Sequence, residues 1–299
     1  MVKDNSLISF VFFVIGLILY SIYLIYDFKN QEGAGWWMRE FGFAKREEAE
    51  DLNLTALLLG GSNVVYSLSA QQLDKSTNLQ WYNFGLSSEA MSDPNYWGYI
   101  SDTLTSKQRQ NIDLIVYSGI QLLSNGYIRQ RNLEDSNAWN QRPLGLIPNK
   151  PLYEVILNPK TIRVKRYYPL PLKKGDFDFN KMICPQKYKE AFVREENWSE
   201  AKSWIENQIL AIQSLFTKAK IIFVIPSEFY GETYNLDFDR KFFKKVKLFI
   251  KNRFGDQIKV LIQPPYADKK LTCDARQHAN ENGRYWRTNN LSEFINLTN

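Results

Sequence analysis

Histidine is almost absent from this chain of 299 residues, and cysteine nearly so: there is one His, His278, and two Cys, Cys184 and Cys273. Structural zinc sites need thiolates and imidazoles at short spacings, and two distant cysteines without a Cys-x-x-Cys pair do not supply them. Neither a metal nor another cofactor is expected. The two cysteines leave two readings open, a bridge pinning the central segment to the C-terminal one in an oxidising compartment, or two unpaired small hydrophobes. Basic recognition motifs are missing as well. The net charge of +6 comes largely from lysines scattered over polar faces, so no nucleic-acid partner is expected. Disorder is excluded by an apolar fraction of 44% and an aromatic fraction of 15%, enough for a substantial core.

Long apolar runs are scarce, and the one present stands near the N-terminus. Residues 7–26, LISFVFFVIGLILYSIYLIY, are uncharged and numerous enough to cross a hydrocarbon core as a helix. A cleaved signal peptide has a shorter apolar region and small residues at its end; this run ends in Tyr20, Tyr23 and Tyr26, which suit an interface. The expected organisation is a tail at 1–6, a transmembrane anchor at 7–26, a juxtamembrane linker at 27–51 and one domain at 52–299. Lys3 flanks one side of the anchor, and Lys29, Arg39, Lys45 and Arg46 the other, a bias that by itself leans towards a cytoplasmic domain. In the linker, Trp36, Trp37, Phe41 and Phe43 either rest at the membrane surface or strap the domain's own core.

From about residue 52 short apolar runs alternate with helical patterns, which predicts an α/β domain with a mainly parallel sheet. Five strand candidates stand out: TALLLGG near 55, WYNFGL near 81, DLIVYSG near 113, KIIFVIP near 220 and IKVLIQPP near 258. Cover helices are predicted where Ile205, Ile209, Ile212 and Phe216 repeat at helical spacing, and where Phe242, Val246, Phe249 and Ile250 do, with Gly255 as a C-cap. Lys241, Lys244, Lys245, Lys247 and Lys251 on the second helix read as a solvated outer face, the alternative being a lipid or polyanion patch. Residues 126–195 break the rhythm with prolines, charges and aromatics, as an irregular insertion of the kind that forms functional loops.

Ser62 follows the first strand candidate in LLLGGSN, and the lone His278 follows the last, in CDARQHANENGRYWRT. Ligands of open parallel sheets gather at the carboxyl ends of the strands, which brings these two residues to one edge. A serine hydroxyl is a weak nucleophile until a base takes its proton, and imidazole does so near neutral pH. Asp274, four residues before His278, is placed to accept the other imidazole N–H and complete a triad. Taken singly, Ser62 also fits an ordinary tight loop, and His278 a capped surface turn.

Together these blocks resemble the SGNH (GDSL-like) hydrolase superfamily. The carrying residues are LLLGGSN with Ser62, NFGLSS with Gly85, and CDARQHANENGRYWRT with Asp274 and His278. The chain departs from the pattern at Asn63, where Asp is usual, and in having three residues between Asp274 and His278. Its third block reads SGIQLLSNG, with Gln121 at the usual Asn position and Asn125 as the fallback. The resemblance implies a three-layer sandwich on a five-stranded sheet and an oxyanion hole from the backbone N–H groups of Ser62 and Gly85 with the Gln121 or Asn125 amide. One anchor plus one such domain is similar to the DltD-type and polysaccharide O-acetylation proteins. That likeness implies a serine acyltransferase or esterase on O-acyl groups, O-acetyl foremost, of a bacterial cell-surface polysaccharide. It implies an extracytoplasmic domain on the bacterial cytoplasmic membrane, beside a membrane-bound O-acyltransferase. Arg163, Arg166, Tyr167 and Tyr168 in the insertion are candidates for gripping the glycan. Two other readings stay open, a non-catalytic subunit of the same fold that binds a glycan or the acyltransferase, and a cytoplasmic lipid esterase.

Overall fold

The structure, a computed structural model, describes residues 4–29, 36–86, 96–119, 174–177, 198–227, 229, 236–273 and 278–298. Asp4–Lys29 form one helix, α1. Its side chains are described from Ser9 to Ile22, and Phe10, Phe12, Phe13, Leu19 and Ile22 among them are exposed. No helix among the described residues is long and apolar enough to cross a membrane.

The five strand candidates all form strands: β1 (Ala56–Gly60), β2 (Trp81–Asn83), β3 (Leu114–Ser118), β4 (Lys220–Ile225) and β5 (Ile258–Ile262). They pair in parallel in the order β2-β1-β3-β4-β5. The apolar runs are continuous because parallel strands with helices on both faces bury both sets of side chains. Alternation along each strand divides them between two cores. Leu57, Leu59, Ile115, Tyr117, Ile221 and Phe223 face one side, and Ala56, Leu58, Leu114, Val116, Ile222 and Val224 the other.

The first core is covered by α5 (Tyr96–Thr103), α7 (Trp198–Leu215) and α8 (Leu236–Phe254), the second by α3 (Ser62–Ser67), α4 (Ala70–Ser76) and α9 (Glu281–Thr298). The remaining short helix, α6 (Ser106–Asn111), precedes β3. Ile205, Ile209, Ile212 and Phe216 are buried, as are Phe242, Val246 and Ile250, with Phe249 partly so. Gly255 ends α8 at φ +65°, a left-handed turn that costs a glycine little. The five lysines of α8 are exposed opposite its buried stripe, as a solvated outer face requires.

One segment read as a linker belongs to the domain. Trp36–Ala49 form a helix, α2, whose Phe41 and Ala49 join the first core and whose Lys45 is fully buried. Tyr99 Oη donates to the Gly42 carbonyl at 2.6 Å. Of the two readings of the aromatic stretch, the strap holds at Phe41, which packs into the core that also holds Tyr82 of β2 and Tyr96, Tyr99 and Ile100 of α5 and so leaves water with them. Cys273 is buried and disulfide-bonded, and Cys184 is the only other cysteine of the sequence.

Candidate active site

β1 pairs with β2 on one edge and with β3 on the other, so the strand order reverses between β1 and β3, the point beyond whose carboxyl ends open parallel sheets bind their ligands. Ser62 opens α3 at that point, two residues after Gly60. The turn is tight. Gly60 has φ +153°, and a Cβ there would lie 2.3 Å from the Ser118 carbonyl oxygen and 2.4 Å from Val64 Cγ2. Only glycine lets β1 run against β3 and then turn at once into the helix.

His278 arrives from the other end of the chain, beyond β5. Its Nε2 lies 2.8 Å from Ser62 Oγ, which joins the first and last sequence blocks in one hydrogen bond. The backbone holds the loop that carries it. Thr272 bridges Ala279 in antiparallel fashion, the Cys273 N–H donates to the His278 carbonyl at 2.8 Å, and the Ala279 N–H donates to Ser67 Oγ on α3 at 3.0 Å. Ser62 is buried and His278 partly exposed. Asp274, Gln121, Asn125, Arg163, Arg166, Tyr167 and Tyr168 lie outside the described residues.

Gly85 lies beside Gly60 and against α3. The Leu86 N–H donates to the Gly60 carbonyl at 2.9 Å, and a Cβ on Gly85 would meet Val64 Cγ1 and Val65 N at 2.9 Å. Its own N–H, expected in the oxyanion hole, donates to Asn83 Oδ1 at 2.9 Å. The physical reason is local: an Asn carboxamide satisfies the amide two residues on, in an Asx-turn, and a buried amide needs a partner.

Asn63 has a structural use. Its Nδ2 donates to Ser118 Oγ at 2.7 Å, and its carbonyl accepts from Arg287 Nη1 at 2.8 Å. Arg287 is fully buried; its Nη2 reaches Ser118 Oγ at 3.2 Å, and its Nε donates to Gln263 Oε1. One guanidinium thus ties α9 to the turn that carries Ser62 and to the ends of β3 and β5. Five donors in a planar fork suit a node that lysine cannot replace. Arg287 belongs to the quoted GRYWRT stretch, yet its role had no signal in spacing alone.

Two more buried charges escaped the sequence reading. Asp176 accepts from Ser69 Oγ at 2.7 Å and from the N–H groups of Ala70 at 2.8 Å and Gln71 at 3.0 Å, capping α4. Burial raises its pKa, and the hydrogen bonds from Gln71, Ser69 and Ala70 oppose that rise. Lys45 Nζ donates to the carbonyls of Asn83 at 2.5 Å and Gly85 at 2.9 Å, pinning the loop beside the Ser62 turn. Glu48, one turn along α2, accepts from Tyr82 Oη and from the N–H groups of Lys174 and Gly175. Lys174 and Gly175 both take positive φ, and KKGD offers one recognisable sign of this turn in its glycine.

Burial pushes the Lys45 amine from 10.5 down to about 7, against the opposing charges of Asp176 and Glu48. A base whose folded pKa lies below its unfolded one binds fewer protons when folded, so this group adds stability as pH rises through that window. Burial also holds the hydroxyls of Tyr82, Tyr96, Tyr99 and Tyr117 well above 10. Those groups withdraw stability above pH 10, where the unfolded chain ionises first. The melting temperature is expected to rise from pH 7 towards 10 and fall beyond it. Lys45→Met is expected to flatten the rising limb, and an unchanged slope in that variant assigns the limb to another group.

No protein-family model matches the sequence, and no curated protein does. Among solved structures the chain is similar to a family two carbohydrate esterase from Clostridium thermocellum in complex with cellohexaose, at 14% identity and a TM-score of 0.38, covering 82% of this chain and 64% of that one. It is similar also to an acetyl xylan esterase from the rumen bacterium Butyrivibrio proteoclasticus, at 9% identity and a TM-score of 0.40, with the same 82% and 64% coverage. The chain therefore spans a little under two thirds of the length of either.

Proposed function

We propose that this protein is a serine-dependent esterase or acyltransferase acting on O-acyl groups of a polysaccharide. The hydrogen bond between Ser62 Oγ and His278 Nε2 at the carboxyl edge of the sheet carries this reading. In the first half-reaction Ser62 Oγ bonds to the ester carbonyl carbon as its proton passes to His278 Nε2 and the carbonyl π pair moves to oxygen. Collapse of that intermediate breaks the bond to the sugar oxygen, which takes the proton from Nε2. In the second half-reaction a water or an acceptor hydroxyl attacks the acyl-serine, gives its proton to Nε2, and the bond to Oγ breaks as Ser62 recovers the proton.

Asp274 is proposed to accept the Nδ1 proton bond and hold the tautomer that leaves Nε2 free to act as a base. The proposed oxyanion donors are the Ser62 N–H with the Gln121 or Asn125 amide, since Asn83 engages Gly85. The polysaccharide, with O-acetyl as the acyl group, rests on the likeness of one anchor plus one such domain to the DltD-type and polysaccharide O-acetylation proteins. So do an extracytoplasmic domain and a membrane-bound O-acyltransferase partner, whereas anchoring through residues 7–26 rests on the apolar run itself, and glycan contacts from Arg163, Arg166, Tyr167 and Tyr168 on the basic and aromatic composition of the insertion.

A fluorophosphonate probe tests the chemistry directly. The wild type is expected to be labelled at Ser62 and to turn over p-nitrophenyl acetate, and Ser62→Ala to do neither. A wild type that stays unlabelled, with turnover equal to Ser62→Ala, sinks the enzyme and leaves the glycan-binding subunit as the reading.

A further inference from the structure

Tyr66 stands one helical turn beyond Ser62 on α3, so both side chains leave the same face of one short helix. The imidazole of His278 lies across the two. Its Nε2 is 2.8 Å from Ser62 Oγ, and its ring centroid is 4.5 Å from that of Tyr66, with the planes inclined at 39°. Tyr66 is itself held in place. The Phe177 ring packs edge-on against it at 4.8 Å, and the Phe177 carbonyl accepts from Arg284 Nη1 on α9 at 2.7 Å. Tyr66 is 5% exposed and Phe177 2%, so the partly exposed imidazole rests against a buried aromatic pair.

We infer that Tyr66 is a positioning residue for His278, its ring setting the imidazole against Ser62 and stabilising the imidazolium that forms when the Ser62 proton moves to Nε2. This rests on the catalytic reading above. An aromatic face carries a negative quadrupole, which attracts a cation within about 6 Å and does so more strongly in a desolvated site. Neutral imidazole gains much less from that field than imidazolium does. The interaction therefore strengthens as the transition state is approached, which is the condition for accelerating a step and not merely holding its ground state. It acts on the face of the imidazole, whereas a carboxylate behind Nδ1 acts on its edge, so the two contributions are separate.

The test keeps the shape of the ring and removes its quadrupole. Tyr66 is replaced by phenylalanine, by 3,5-difluorophenylalanine and by pentafluorophenylalanine in the full chain. The rate of fluorophosphonate labelling and the kcat and KM for p-nitrophenyl acetate are then measured alongside each melting temperature. Tyr66→Phe is expected to keep kcat within about twofold, and the fluorinated rings to lower it in order, to about a tenth for the pentafluoro ring. KM and melting temperature are expected to hold. Equal rates across the ring series overturn the inference, since a ring that only fills space gives that result. A large loss in Tyr66→Phe followed by a flat fluorinated series assigns the effect to the hydroxyl and also overturns it. A wild type that is not labelled at all marks the failure of the catalytic reading, and the inference falls with it.

Discussion

Replacing His278 with alanine is expected to lower kcat for p-nitrophenyl acetate by about a thousandfold or more while leaving the fold in place. A positioned general base contributes roughly a hundred- to ten-thousandfold, and loss of the base in a Ser–His pair costs nearly as much as loss of the nucleophile. No other residue of the sequence is a histidine, so no second imidazole can substitute. The fold is expected to survive because the loop is held by its backbone, through the Thr272–Ala279 bridge, the Cys273 N–H to the His278 carbonyl, and the Ala279 N–H to Ser67. None of these bonds uses the imidazole. Free imidazole in the buffer is expected to restore part of the rate, since the side chain is partly exposed and its removal leaves room beside Ser62. Activity within tenfold of wild type would dismiss His278 as the base.

The largest stability effect is expected at Gly60. Alanine there takes on a φ of +153° that an L side chain rarely adopts, and its Cβ meets the Ser118 carbonyl oxygen at 2.3 Å and Val64 Cγ2 at 2.4 Å. Neither neighbour has a cheap way out. Ser118 is the register partner of Gly60 in the centre of the sheet, and Val64 lies in the core on α3, the helix that Ser62 begins. Backbone strain of about 1–3 kcal/mol adds to an overpacking cost of similar size, so a loss of about 3 kcal/mol or more is expected, seen as a fall of about 10 °C in melting temperature. Gly98, in the middle of α5, is the control: a Cβ there meets nothing within 4 Å, and Gly98→Ala is expected to be neutral or slightly stabilising. If Gly60→Ala melts no lower than Gly98→Ala, the turn before Ser62 does not need its glycine.

Much of the fold was legible because its signals are local. Five apolar runs bounded by Gly, Pro or polar residues became five strands, and two apolar stripes at helical spacing became α7 and α8. Ser62 and His278 were legible for a different reason, since a lone histidine after the last strand and a serine after the first must both reach the carboxyl edge of a parallel sheet. The boundary of the domain was not. Lys45 and Glu48 sit in a charged stretch, AKREEA, that reads as solvent-exposed helix, and only the docking of α2 buries Lys45 beneath Asn83 and Gly85. The direction of the Gly85 N–H was equally out of reach, because it depends on one rotamer of Asn83.

The sequence by itself determined the α/β class, the positions of the strands and of the two cover helices α7 and α8, and the two residues that meet at the site, because periodicity, turn residues and chain order act over short distances or follow from topology. Tertiary structure alone decided which buried charges brace that meeting. Arg287 joins α9 to Asn63 and Ser118, Asp176 caps α4, and Lys45 pins the loop at Gly85. Each partner stands far from the other in the chain, and a buried charge is tolerable only where several such partners converge on it in space.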